Sequence, residues 1–336
     1  MHLKGTVRAL IFIALVSACK NEKKQFIAGL AQGTTYHITF LAPTAGSFQR
    51  EIDSLLMLLN SSLSTYDSQS VISMVNRNDT RAVVDPYFSQ VFEKSMEVSE
   101  KTEGLFDITV GPLINAYGFG PAKKLKVSTA VIDSLRNFVG YKKVKMDSGK
   151  IIKARPEISL DFNAIAQGYS VDVISDYLEA KGIKNYLVEL GGEVKAKGSK
   201  AKDTLWTVGI DQPDEDPMFD RGIQGALTLK DLAMATSGNY KKFYEENGER
   251  YAHIINPTTG YTQKNDLLSV SVIARDCMTA DAYATAFMVM GREKTIEFLS
   301  RNSELGLSVY LIFDDHGHWS TYVSPTLEKS IKDTRK

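Results

Sequence analysis

Asp281 and Thr285 stand four residues apart in the run Asp281-Ala282-Tyr283-Ala284-Thr285, so a helix there would turn both to one face. A carboxylate and a hydroxyl among small alanines form an oxygen-only half-site, the donor set of a hard cation such as Mg²⁺. Asp281 could equally serve only the first turns of its own helix. A second candidate is Asp161-Phe162-Asn163-Ala164-Ile165-Ala166-Gln167-Gly168-Tyr169, where a strand end enters a helix. Free N–H groups and the positive dipole end there suit a phosphate, although simple capping would also explain Asp161. A third runs from Ala233 to Gly260 and holds Thr236-Ser237-Gly238-Asn239 and His253. Its small residues allow a backbone to approach a ligand. An imidazole titrating near pH ~6.5 can act as a general base, or it can be an ordinary structural histidine. Together the three point to a divalent cation, a phosphate-bearing ligand with a flat ring, and a base. A Walker A loop, a GxGxxG fingerprint and a zinc-type His/Cys cluster are absent from the sequence.

The elements that must position these groups are legible in outline. Asn247-Gly248 between alternating runs predicts a hairpin that ends just before His253 and the turn Asn256-Pro257-Thr258-Thr259-Gly260. Helical spacing predicts helices over Ser47–Asn60, Pro86–Lys101, Ser128–Val139, Ala164–Ala180 and Thr295–Ser300, with a further helix from Asp276 to Met290 and a short one over Val71–Val75. Strands are expected within Phe26–Ala42 and over Tyr186–Leu190, Trp206–Ile210, Gly225–Leu229, Leu268–Ala274, Leu307–Phe313 and Trp319–Val323, with a hairpin over Lys142–Lys153. The apolar run Phe106–Pro121 is broken by three Gly and two Pro, which reads as a loop shaped around a planar ligand or as a buried irregular segment. Elements alternate without regular βαβ order. The expected class is α+β, a two-lobed mixed α/β body with a central cofactor cleft.

Composition bounds the function. Hydrophobic residues make up 43% and charged residues 24%, which is globular. Forty Lys and Arg balance forty Asp and Glu, so nothing argues for nucleic acid. Lys4 and Arg8 precede an apolar stretch, Ala9–Val16, too short to span a bilayer. Val16-Ser17-Ala18-Cys19 resembles a bacterial lipobox, with an ordinary secretory signal as the alternative. The expected organisation is a signal peptide over 1–18, a lipidated Cys19 with a tether over 19–25, one main domain over 26–325 and a charged, frayed tail over 326–336. That organisation places the chain on the extracytoplasmic, periplasmic side, anchored to a bacterial membrane by lipid. Cys277 then has no disulfide partner and is expected to be a small buried residue.

The chain resembles the FAD:protein FMN transferases, the ApbE-type flavin transferases, over roughly Gly29 to Val323. The motifs are G-T-T-Y at Gly33, S-T-Y-D at Ser64, F-D-I-T-V-G-P-L-I-N-A-Y-G-F-G at Phe106, L-D-F-N-A-I-A-Q-G-Y at Leu160, E-L-G-G-E at Glu189, A-T-S-G-N-Y at Ala235, H-I-I-N-P-T-T-G at His253 and D-C-M-T-A-D-A-Y-A-T-A at Asp276. The resemblance implies FAD as substrate, lined by Gln32, Tyr66, Phe106, Asp107, Asp161, Gln167, Thr236, Ser237, Gly238 and Ile254. It implies Mg²⁺ held by Asp281, Thr285 and the carbonyl of Ala164, and His253 as catalytic base. The implied reaction moves FMN from FAD to a Thr or Ser hydroxyl of an acceptor protein and releases AMP. FAD pyrophosphatase activity and non-catalytic FAD binding are the alternatives. The chain carries Gln167 where the family usually has Lys or Glu, Asn256 where it has Asp, and Gln32 where it often has Met.

Overall fold

A computed structural model of the chain describes residues 22–44, 46, 48–213, 222–239, 243–246, 249–263 and 265–333, with 243–246, 249–252, 332 and 333 as backbone. The signal segment 1–18, Cys19 and the turn at Asn247-Gly248 lie outside the described residues.

The body is built on one sheet of eight strands: β1 (Lys23–Ala31), β2 (Thr34–Ala42), β3 (Tyr186–Leu190), β4 (Glu193–Lys197), β5 (Leu232–Gly238), β6 (Leu267–Ala274), β7 (Ser308–Asp315) and β8 (His318–Val323). Their order across the sheet is their order in the chain, and every neighbouring pair is antiparallel. The fold is α+β, as expected from the sequence. Helices cover one face: α1 (Phe48–Leu63), α2 (Val71–Asn76), α3 (Pro86–Lys101), α4 (Gly111–Tyr117), α5 (Thr129–Arg136), α6 (Ala166–Ala180), α7 (Cys277–Met290) and α8 (Arg292–Arg301). Ser70, Asp85, Ser128 and Asp276 each accept a backbone amide at a helix start, the role that their side chains suit.

On the helical side Val270, Val272, Val309 and Leu311 meet Phe88, Phe162, Tyr283 and Phe287 in the main core. Beside it, Tyr36, Ile38, Phe40, Tyr186 and Val188 pack against Ile52, Leu56, Val171, Ile174 and Leu178 of α1 and α6. The opposite face, with Val194, Met234, Ile273 and Ile312, is covered by a small sheet of strands Trp206–Asp211, Ile223–Leu229 and Ile331–Asp333. The middle strands are therefore sandwiched. Ser269 and Ser271 of β6 are buried with the apolar residues between them, although their sequence reads as a half-exposed strand.

Four expectations are corrected. The Phe106–Pro121 run is not all loop, because α4 occupies its middle. Gly111-Pro112 is the helix start, where Pro needs no amide partner, and Gly118 is its left-handed end at φ 82°. Thr236-Ser237-Gly238, small residues expected to let a backbone approach a ligand, is the end of β5, a strand the sequence did not mark, and is hydrogen-bonded to β6. Glu193–Lys197 forms β4, which the sequence reading passed over. Ile331–Asp333 pairs with Gly225–Leu227, so this part of the tail is not frayed. Cys277 is fully buried and free, as expected.

Candidate active site

The centre of the site is the contact between α6 and α7. Gly168, in the first turn of α6, faces Cys277 and Asp281 of α7. A Cβ on Gly168 would lie 2.4 Å from the Cys277 carbonyl oxygen and 2.7 Å from the Asp281 Cβ, so only glycine lets the helices come this close. The Gly168 amide donates to Asp281 Oδ2 at 2.9 Å. Gly168 is the third residue of α6, so its amide has no intrahelical acceptor and the carboxylate supplies one. The next amide, of Tyr169, donates to the Ile165 carbonyl at 3.0 Å. Among the described residues no backbone amide donates to the Ala164 oxygen. α6 begins at Ala166, after Ile165 at φ −155°, and not at about Ala164 as expected.

The start of α6 and Asp281 are thus brought together, and half-buried Thr285 follows one turn along α7 on the face of Asp281. Burial pushes the Asp281 carboxyl up to about 7, with the Gly168 hydrogen bond opposing and the charge of Asp172 adding to it. Among the described residues no three His, Cys, Asp or Glu side chains gather as a metal cluster. A cation here would rely on one carboxylate and neutral oxygens, a set suited to a hard ion that keeps waters or substrate phosphates.

Asp161 is buried, and desolvation raises its carboxyl to about 6. It accepts the Asn163 amide at 2.8 Å and the Asn163 side chain at 3.0 Å, the local turn that precedes α6. Its own amide donates to the Ile108 carbonyl at 2.7 Å, so where a strand end was expected there is a single bridge, Ser159 to Val110, and this bond holding the segment against residues 106–110. The charge of Asp161 also reaches Tyr66, whose phenol is raised first by burial and then by that carboxylate. Tyr66 Oη donates to the Phe119 carbonyl at 3.0 Å, and the Phe119 ring meets His253 edge-on, centroids 6.3 Å apart. A hydrogen bond and a ring contact therefore link Tyr66 through Phe119 to His253, with the charge of Asp161 felt at Tyr66. Phe119 belongs to the Y-G-F-G stretch at Tyr117, yet nothing in its spacing points to His253 as its neighbour.

His253 is half-buried and leaves the strand Glu249–Ala252. Ile254 and Ile255 behind it are buried in two different clusters, which pins the segment from both sides. Asn256 then organises the turn. Its Oδ1 accepts the amides of Thr258 and Thr259 at 2.9 and 3.1 Å, and its carbonyl accepts the Gly260 amide at 2.8 Å. Tyr117 Oη donates to the Gly260 carbonyl at 3.2 Å, tying the turn to α4. An aspartate at position 256 would accept the same two amides, so Asn256 keeps this turn intact.

The remaining expected residues fall into two groups. Gln32, at φ 51° in the two-residue turn between β1 and β2, donates to Ser170 Oγ on α6 at 2.7 Å. Gln167, also on α6, is half-buried and lies over Gly191, where a Cβ would sit 2.8 Å from its Nε2. Both side chains are gathered at the first turns of α6. Asp107, by contrast, spends its buried carboxylate on Thr109 (2.8 and 2.6 Å) and the Tyr141 amide (2.7 Å). It lines an open groove of about 440 Å³ with Arg136, Asn137, Tyr141, Pro257 and Thr258. Phe106 is buried in the main core. Thr236 Oγ1 and Ser271 Oγ share a hydrogen bond of 2.8 Å, and Thr236, Ser237 and Gly238 close β5 ahead of the His253 hairpin.

The pattern of the ApbE family matches residues 32–311. The FAD:protein FMN transferase of Haemophilus influenzae is 33% identical over 345 residues, covering 97% of this chain and 98% of its own length. That of Vibrio cholerae is 34% identical over 335 residues, with the same coverage. The solved flavin transferase ApbE from Vibrio cholerae superimposes with a TM-score of 0.81 at 33% identity, over 92% of this chain and 99% of that one. The apo flavinyl transferase ApbE of Pseudomonas stutzeri gives 0.80 at 29% identity, over 92% and 97%. With the fold, the motif order and near full-length identity in agreement, the chain belongs to the ApbE family.

Proposed function

We propose that this transferase moves the FMN moiety of FAD onto a Thr or Ser hydroxyl of an acceptor protein, releasing AMP, with Mg²⁺ bound at Asp281, Thr285 and the Ala164 carbonyl. The observation that carries the reading is the buried Asp281 carboxylate held on the Gly168 amide, with the Thr285 hydroxyl one turn along the same helix face. Those oxygens fit a hard cation, and the cation when bound would neutralise pyrophosphate charge and polarise the phosphoryl group. The relatives named FAD:protein FMN transferase support the substrate and the class of acceptor.

The chain's own residues supply the rest. A hydroxyl is a weak nucleophile at neutral pH and needs a base. His253, held by Phe119 and by the pinned Ile254-Ile255 segment, accepts the hydroxyl proton as the oxygen attacks the FMN phosphorus. The new P–O bond forms as the bond to the AMP oxygen breaks, and AMP departs with the charge. Asp161, Tyr66, Gln32 and Gln167 surround the approach and orient FAD. Such transfers depend mainly on positioning and charge stabilisation, which suits a site braced by two helices. Cys19, lipidated, would keep this chemistry at an extracytoplasmic membrane surface.

The test is incubation with FAD, Mg²⁺ and a flavin-acceptor domain, read as in-gel fluorescence of the denatured acceptor together with AMP. Fluorescent acceptor with AMP supports transfer. Free FMN with AMP and a dark acceptor would point to a pyrophosphatase. Bound FAD with neither product would leave a binding protein.

A further inference from the structure

The first three amides of α7 have no intrahelical acceptor, as at any helix start. Here all three are taken by carboxylates. Asp276 accepts from Thr279 at 2.8 Å. Asp172, on α6, accepts from Cys277 at 3.0 Å through Oδ1 and from Met278 at 2.8 Å through Oδ2. Lys195 of β4 donates to the same Oδ1 at 2.8 Å. Asp172 is buried, so a charge there is costly without these three donors.

Asp172 lies one turn beyond Gly168 on α6, and Cys277 lies one turn before Asp281 on α7. The two helices therefore exchange hydrogen bonds in antiparallel register. Gly168 of α6 donates to Asp281 of α7, and Asp172 of α6 accepts from the start of α7. The first bond alone would fix one point and leave α7 free to pivot about it. The second fixes the helix end a turn away, and with it the facing of Asp281, and of the helix face that carries Thr285, toward the start of α6. We propose that Asp172 is a positioning residue of the cation half-site, setting the depth and rotation of α7 on α6 while Lys195 balances its charge.

The inference rests on the Mg²⁺ reading above, and the experiment separates the two. Mn²⁺ is titrated into the mature protein and its free-ion EPR signal followed. Mg²⁺ dependence of transfer and the thermal midpoint are measured alongside. Asp172→Asn, which keeps the shape but offers one acceptor oxygen and no charge to Lys195, is expected to weaken Mn²⁺ binding by about 10-fold or more, in the range found for supporting residues around metal ligands. The Mg²⁺ concentration for half-maximal transfer should rise by a similar factor, and saturating Mg²⁺ should restore most of kcat. Unchanged Mn²⁺ affinity with a lowered midpoint would make Asp172 merely structural and overturn the proposal. Absence of Mn²⁺ binding by the wild type would overturn the half-site itself. If Asp172→Asn does not fold, Asp172→Ser, whose hydroxyl accepts one amide without burying a charge, is read by the same criteria.

Discussion

The Gly168 amide lies 2.9 Å from Asp281 Oδ2, and this bond does two things at once. It gives a buried carboxylate a fixed donor, and it gives the third amide of α6 the acceptor that a helix start lacks. Gly168 also has to be glycine, since a Cβ would meet the Cys277 carbonyl at 2.4 Å. Gly168→Ala should therefore destabilise the protein although alanine is the better helix former by about 1 kcal/mol. The clash is with backbone, so α7 must move, at a cost of roughly 1–3 kcal/mol. Urea unfolding checks the sign, and a Gly168→Ala protein as stable and as active as wild type would remove the close helix contact from the account.

Asp281→Ala removes the carboxylate of the half-site and the acceptor of the Gly168 amide. Cation-dependent transfer should fall to background, measured as acceptor fluorescence over a Mg²⁺ series. Asp281→Asn keeps an acceptor for Gly168 and should stay folded, yet still lose the Mg²⁺ response. A normal Mg²⁺ response in Asp281→Asn would dissociate the helix contact from cation binding.

Asp161 gives a pH signature. Its folded carboxyl is raised to about 6 from 3.8 by burial, so the folded chain holds this proton more tightly than the unfolded one. The ionised form thus destabilises the fold. That cost is absent below about pH 4, grows as pH rises toward 6, and is constant above it, at roughly 1–3 kcal/mol. Without FAD, Asp161→Asn should be more stable than wild type at pH 8, and the advantage should vanish near pH 4. Urea titrations at the two pH values decide this, with equal differences at both pH values as the contrary result. Reduced transfer by the more stable variant would show that the buried charge is kept for function.

Asn256 is expected to matter through its turn. Asn256→Ala leaves the Thr258 and Thr259 amides without their acceptor and frees the segment after His253. Displacement of a base by about 1 Å can cost on the order of 10²-fold in rate. Asn256→Asp supplies the same acceptor and should transfer flavin within a few fold of wild type. Comparable losses in both variants would mean that the amide group itself, and not the turn, is what the site uses.

The sequence disclosed the pieces better than their joins. The helix starts at Ser128 and Asp276 were legible because each is a cap residue next to apolar periodicity, whereas α2 is capped by Ser70 and not by Asp67 or Ser68. Asp281 and Thr285 were legible from i, i+4 spacing. β4 and the end of β5 were missed because a strand covered on both faces has no alternation to read, and because Ala235-Thr236-Ser237-Gly238 has the composition of a loop. α4 was missed because Gly111, Pro112 and Gly118 were taken as breakers, when they mark its start and stop. Ala164, Asp172 and Phe119 act through neighbours more than 100 residues away in the chain, or through a backbone atom, and no local pattern encodes that.

His253 is the residue on which transfer, as distinct from FAD binding, should depend. Its ring meets Phe119, whose carbonyl accepts from Tyr66, while Ile254 and Ile255 are buried in separate clusters. The imidazole is thus set by a wall and a pinned backbone, and the cation half-site is built without it. His253→Ala should leave FAD affinity and Mg²⁺ response of binding unchanged while acceptor labelling drops by about 10²–10⁴-fold, the range for loss of a positioned base. Phe119→Leu removes the aromatic wall but keeps an apolar side chain, and the carbonyl that holds Tyr66 is untouched. It should therefore lower labelling to a lesser degree than His253→Ala, with FAD affinity preserved. The two substitutions combined should cost no more than His253→Ala alone, because Phe119 acts on the reaction through the imidazole. Additive losses in the double variant would instead assign Phe119 an independent role against the flavin.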